Sequence, residues 1–110
     1  MAYDPELADR IRDLVGATPG IRERKMFGGL VFLVDGNIAA SAYKDGGLMI
    51  RSSAEDWEAF CSDDGARPML RKGAPVSGWV LVESQAVQSQ SSLAEWVERG
   101  LAHAAAQPPK

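Results

Sequence analysis

The chain has 110 residues, 45% hydrophobic and 25% charged, which fits one globular domain able to bury a core without metal or disulfide staples. Its net charge of −3 argues against a large basic face, so direct binding of nucleic acid is not expected. The single cysteine, Cys61, excludes an internal disulfide and fits a reducing compartment. The polar start "MAYDPELADR" is no signal peptide, and the longest apolar run, Leu30 to Val34, falls far short of the ~20 residues that span a bilayer. A cytoplasmic protein without membrane association is the expectation.

Asp4 and Pro5 mark a helix start, as N-cap and first helical residue. Leu7, Ile11, Leu14 and Val15 then form one apolar stripe, and the stretch from Gly16 to Gly20 ends the helix. Arg22 to Met26 reads as extended chain. Leu30 to Val34 is a strand, and Asp35-Gly36 signals a type I′ hairpin turn, which needs positive φ at both central positions. Ile38 to Tyr43 returns as a second strand, and Leu48 to Arg51 follows as a third after Asp45-Gly46-Gly47. Ser52 and Glu55 have capping-box spacing for a short helix carrying Trp57, Phe60 and Cys61 on one face. Two more strands, Arg67 to Arg71 and Gly78 to Glu83, are joined by a Gly-Pro turn. After the polar connector "SQAVQSQS", Ser92 and Glu95 open a final helix with Leu93, Trp96, Val97 and Leu101 on its apolar face. The order predicts an α+β domain over residues 1–106. Its five-stranded, mainly antiparallel sheet has the helices on one face, and residues 107–110 form a frayed tail.

The stretch "RKMFGGLVFLVDGN" raises the question of a phosphate loop. Gly28 and Gly29 enter a strand rather than a helix, and no Gly-Lys-Ser/Thr follows, so a bulge or bend is the better reading. Arg22, Arg24 and Lys25 form one basic cluster, and Arg67, Arg71 and Lys72 another. At a common sheet edge they would receive an acidic partner or a phosphate; otherwise they are solvated surface. Met26-Phe27 and Pro68-Met69 read first as core filler, with a ligand pocket as the alternative. Trp57, Trp79 and Trp96 are assigned to the core. Cys61 has no evident base, because the only histidine, His103, lies in the last helix. One Cys and one His make no conventional zinc site. Asp63-Asp64 read as turn residues. No catalytic, cofactor or metal residue is assigned.

The stretch "RKMFGGLVFLVDGN", with "GLMIRSS", "GARPMLRKGAPVSGWVLV" and "SSLAEWVERGL" following in this order, resembles the N-terminal domain of the TfoX/Sxy family. The resemblance runs from Leu7 to Ala106, and Met26, Phe27, Gly28, Gly29, Pro68, Met69, Gly78 and Trp79 carry its motifs. It departs at Ala74-Pro75-Val76-Ser77, where a more basic, Met-containing turn is expected. The resemblance implies an α-β3-α-β2-α fold similar to secretion chaperones. It also implies kinship with a bacterial regulator of natural competence, thought to act with a cyclic-AMP receptor protein. That regulator has a second, helical C-terminal domain, and this chain is expected to be a single-domain member.

The resulting expectation is a non-enzymatic domain that binds another protein, in a role of transcriptional regulation. A ligand-binding or enzymatic domain with a site near the sheet edge is the alternative, and direct DNA binding a further one. The strands "GLVFLV" and "WVLV" are apolar on both faces, which helices on one side alone do not explain. Val31, Leu33, Val80 and Val82 are therefore the candidate apolar interface, covered most simply by a second copy of the chain.

Overall fold

The computed structural model describes residues 3–26 and 28–110; Phe27, one of the motif residues, lies outside the described residues. Helix α1 (Pro5–Val15) starts as its sequence dictates: the Asp4 carboxylate accepts the Glu6 backbone N–H at 2.9 Å, and Pro5 needs no partner at the first position. Its stripe of Leu7, Ala8, Ile11 and Val15 is buried.

Among the described residues six strands follow, not five: β1 (Ile21–Met26), β2 (Gly29–Val34), β3 (Asn37–Ala42), β4 (Leu48–Arg51), β5 (Ala66–Arg71) and β6 (Ala74–Val82). They form one open sheet in the order β1-β2-β3-β4-β6-β5, with every neighbouring pair antiparallel. The additional strand is β1, the charged segment expected only to be extended. It is an edge strand, so it needs no apolar alternation, and its charges discourage further pairing. Asp35 and Gly36 take φ of 50° and 85°, as a type I′ turn requires. The turn between β5 and β6 is Lys72-Gly73, with φ of 52° and 81°, and β6 begins at Ala74. It replaces the expected Gly-Pro turn.

Helix α2 (Ala54–Cys61) is capped by Ser53, whose hydroxyl accepts the Asp56 N–H at 3.2 Å, one residue later than the Ser52 box. A 3₁₀ turn (Ser84–Val87) lies within the polar connector. Helix α3 (Gln90–Ala106) is capped by Ser89 rather than Ser92. The last residues are exposed but hydrogen-bonded. Lys110 N–H donates to the Asp35 carbonyl at 2.8 Å, and Asn37 donates its amide to the Pro108 carbonyl at 3.0 Å.

Strand alternation divides the sheet into two faces. Leu30, Phe32, Ala40, Ala42, Leu48, Ile50, Val80 and Val82 share the main core cluster with Leu7, Ile11 and Val15 of α1 and Leu93, Trp96 and Val97 of α3. Trp57, Phe60 and Cys61 of α2 pack against its margin. α3 lies so close to the sheet that a Cβ on Gly100 would collide with the Ala39 carbonyl oxygen. The register places a second row on the opposite face, crossing all six strands: Arg24, Val31, Ser41, Met49, Leu81 and Arg67.

Candidate functional site

The helix-free face carries the site. Two residues further along the strands from that row, Arg51 of β4 pairs with Trp79 of β6, and its guanidinium stacks 4.3 Å from the indole centroid. Burial lowers the Arg51 pKa, and its Nε is buried without a hydrogen-bond partner. The β5–β6 ladder breaks its register between Pro68 and Leu70, and Gly78, at φ 88°, lies opposite this break. The distal half of the hairpin beyond the break faces the end of β3 across a groove of about 530 Å³. Tyr43, Met69, Val76 and Trp79 supply its half-buried apolar lining, Gly28 leaves one wall open, and Lys44 and Arg71 stand at its rim. Leu70 also lines it, and at 59% exposure it is the exposed large hydrophobic residue of the described chain.

Two glycines shape one side of this site. Gly28 sits at φ 75° in the β1–β2 turn, against the Lys44 side chain. Gly29 opens β2, where a Cβ would collide with the Ala42 carbonyl oxygen. Close backbone approach, rather than a bulge, is its reason; the bulge of β2–β3 falls at Phe32/Leu33.

Charge is segregated between the layers. The strands and their joining turns, 21–51 and 66–82, carry eight basic residues against three acids, Glu23, Asp35 and Asp45. The three helices carry eight acids against three basic residues, Arg10, Arg12 and Arg99. The strands of an acidic chain are thus net basic, which net charge alone conceals.

The two basic clusters do not share an edge, because β1 and β5 are opposite ends of the sheet. Arg22 and Arg24 flank the helix-free face from one side and Arg67 from the other, where it pairs with Asp45 at 3.1 Å. Lys25 alternates to the helix side, and Lys72 is in the hairpin turn. Lys44 and Arg71 have no carboxylate within ion-pair distance among the described residues.

The four residues expected to form an apolar interface divide between the faces. Val80 and Val82 belong to the helix-facing core, whereas Val31 and Leu33 lie on the other face. All four are buried within the single chain, so a partner in this conformation would meet other side chains. Of the motif residues, Gly28, Met69 and Trp79 converge on the groove, Met26 ends β1, and Pro68 pairs with Val80. Trp79 is therefore a groove residue, whereas Trp57 and Trp96 join the core. The Trp57 indole N–H donates to the Trp79 carbonyl at 3.0 Å.

A smaller groove of about 350 Å³ lies between α2 and α3, with Asp56, Phe60, Arg99 and His103 in its lining. Arg99 is sandwiched between Phe60 and Trp96, at 4.6 and 4.5 Å, and donates to Asp63 at 2.8 Å. Its cation is thus already engaged. Burial, and secondarily the Arg51 charge, lowers the His103 pKa, while burial pushes the Cys61 thiol up. Among the described residues, no three His, Cys, Asp or Glu side chains come together to hold a metal ion. No helix of the described residues is long and apolar enough to cross a membrane.

Fold and site together define a small α+β domain with one six-stranded antiparallel sheet and an apolar, basic-rimmed groove on its helix-free face. A sequence model of the TfoX N-terminal domain family matches residues 13–104, and the chain belongs to that family. It is accordingly a competence-regulation-related domain. No curated protein matches the chain.

Proposed function

We propose that this chain is a non-enzymatic protein-interaction domain in competence-type transcriptional regulation, and that the groove is its contact surface. One observation carries the reading: the described chain's exposed large hydrophobic residue, Leu70, stands in an apolar groove with Lys44 and Arg71, which have no carboxylate within ion-pair distance among the described residues. Full burial of such a side chain by a partner contributes on the order of 1–2 kcal/mol. A solvent-exposed leucine beside Met69, Val76 and Trp79 suits a central anchor of an interface with a charged rim. The raised Cys61 pKa also supports a non-enzymatic role, because an activated thiolate needs the opposite shift.

Site-specific photo-crosslinking in cells tests this. A crosslinker at position 70 should join the chain to a protein of the transcription apparatus, and one at the exposed Glu6 should not. Equal adducts from both positions, or none from position 70, would overturn the reading.

The groove volume also lies within the range of small-molecule sites, which favours a ligand as the second reading. Saturable quenching of tryptophan fluorescence by a small amphipathic anion, with no position-70 crosslink, would select it.

A further inference from the structure

We infer that the groove's occupant is an acidic, amphipathic segment of another protein, in which apolar side chains alternate with carboxylates. The inference rests on the protein-interaction reading and names the chemistry of the partner. Charge complementarity carries it. Lys44 and Arg71 stand exposed at the rim without carboxylate partners among the described residues, while the apolar lining lies between them. The strands and their joining turns have an excess of basic residues, and the acids of the chain are concentrated on the helices. An approaching acidic segment is therefore drawn to the sheet side and repelled from the helical one.

The shape excludes two other modes. A cavity of about 530 Å³ accepts a few side chains, not a folded domain. Addition of a strand at the free edge of β5 is obstructed, because Pro68 has no N–H and the register breaks beside it. Recognition is then by side chains entering the groove. One wall is already fixed, since Arg51 stacks on Trp79 and holds the indole before any partner arrives.

The test uses the full chain and two labelled synthetic peptides with identical apolar residues, one with Glu and one with Lys between them. Fluorescence anisotropy should show the acidic peptide binding at least about tenfold more tightly than its lysine counterpart. Its affinity should fall as salt rises. Leu70→Glu should weaken it about tenfold or more, as loss of a central anchor does. The double variant Lys44→Glu/Arg71→Glu should reverse the peptide preference while keeping its melting temperature. Reversal separates a charge contact from damage to the fold, because a damaged fold prefers neither peptide. Equal binding of both peptides, or no binding of either, would overturn the inference, as would tighter binding of a mixed-sequence single-stranded oligonucleotide that competes at the groove. A position-70 crosslink to a protein, found together with equal peptide binding, would leave the interaction reading standing and remove this one.

Discussion

The two edge hairpins of the sheet are built on opposite plans. In β1–β2 the ladder is unbroken from Ile21↔Val34 to Met26↔Gly29. Every residue of β2 is buried, and Arg22 to Lys25 of β1 are exposed. Arg12 ties this hairpin to α1 through two contacts to the Glu23 carboxylate. In β5–β6 the ladder breaks at Pro68/Leu70, and apolar residues beyond the break stay at the surface. The first hairpin separates apolar from polar between its strands and so serves packing. The second leaves Met69, Leu70 and Val76 beside Arg71, an arrangement that stabilises the fold little and leaves a surface for contact.

The largest test of this contrast compares one side chain from each hairpin. Phe32→Ala should cost about 3–5 kcal/mol in denaturant unfolding, because Phe32 is fully buried in the main core. Leu70→Ala should change stability by less than about 0.5 kcal/mol. A comparable loss at both positions would erase the distinction.

Next come the glycines. Gly29→Ala should destabilise by about 1–3 kcal/mol, since β2 and β3 must separate to admit a Cβ against the Ala42 carbonyl. Gly73→Ala meets open space but a φ of 81°, so only backbone strain of about 1 kcal/mol remains. Melting curves of the two variants should rank in that order. An unchanged melting temperature for Gly29→Ala would remove the close-approach argument.

The N-cap at Ser53 offers a test of the helix beside the second hairpin. Ser53→Ala should cost about 1 kcal/mol and Ser52→Ala should leave the cap intact, a difference that urea titration resolves.

The smallest effects are in pH. Glu23 has a lowered pKa, chiefly because Arg12 donates to its carboxylate, and His103 is lowered by burial and then by Arg51. Both groups hold protons more weakly in the folded chain than in the unfolded one. Stability is then complete above the unfolded values and falls as pH drops toward the folded ones. The loss begins near 6.5 for His103 and near 4.5 for Glu23. The Arg12–Glu23 pair is solvent-exposed, so its share should stay below about 1 kcal/mol. His103→Gln should abolish the upper step and Glu23→Gln the lower. A stability profile that rises on acidification would contradict both assignments.

Local chemistry was legible wherever one segment decides its own conformation. Asp4-Pro5 starts α1 and Asp35-Gly36 turns β2 into β3, because caps and type I′ turns depend on neighbouring backbone alone. The Lys72-Gly73 turn was less visible, since lysine at positive φ is uncommon and Ala74-Pro75 nearby offers a more familiar turn signal. Ser52 and Ser53 are indistinguishable as caps by composition; the entry angle of the chain selects the second. Strand β1 lacks apolar periodicity because its middle, Arg22 to Lys25, is exposed at the sheet edge and needs none.

The amino-acid sequence by itself determined the order of the helices and of five of the six strands, the hairpin at Asp35-Gly36, the apolar residues available for a core and the family. The tertiary structure alone decided which of those residues meet. The placing of β6 between β4 and β5 is a pairing between distant segments, and no local signal encodes it. That pairing buries Val80 and Val82 against the helices and turns Trp79 to the other face. It also brings Gly28 and Lys44 to the same groove as Leu70 and Arg71. Charge behaves likewise: composition fixes a net of −3, but strand pairing decides that Arg24, Arg51 and Arg67 share the helix-free face while Lys25 turns to the other. Period-two alternation fixes which side chains share a face of a strand, but long-range pairing fixes what that face confronts.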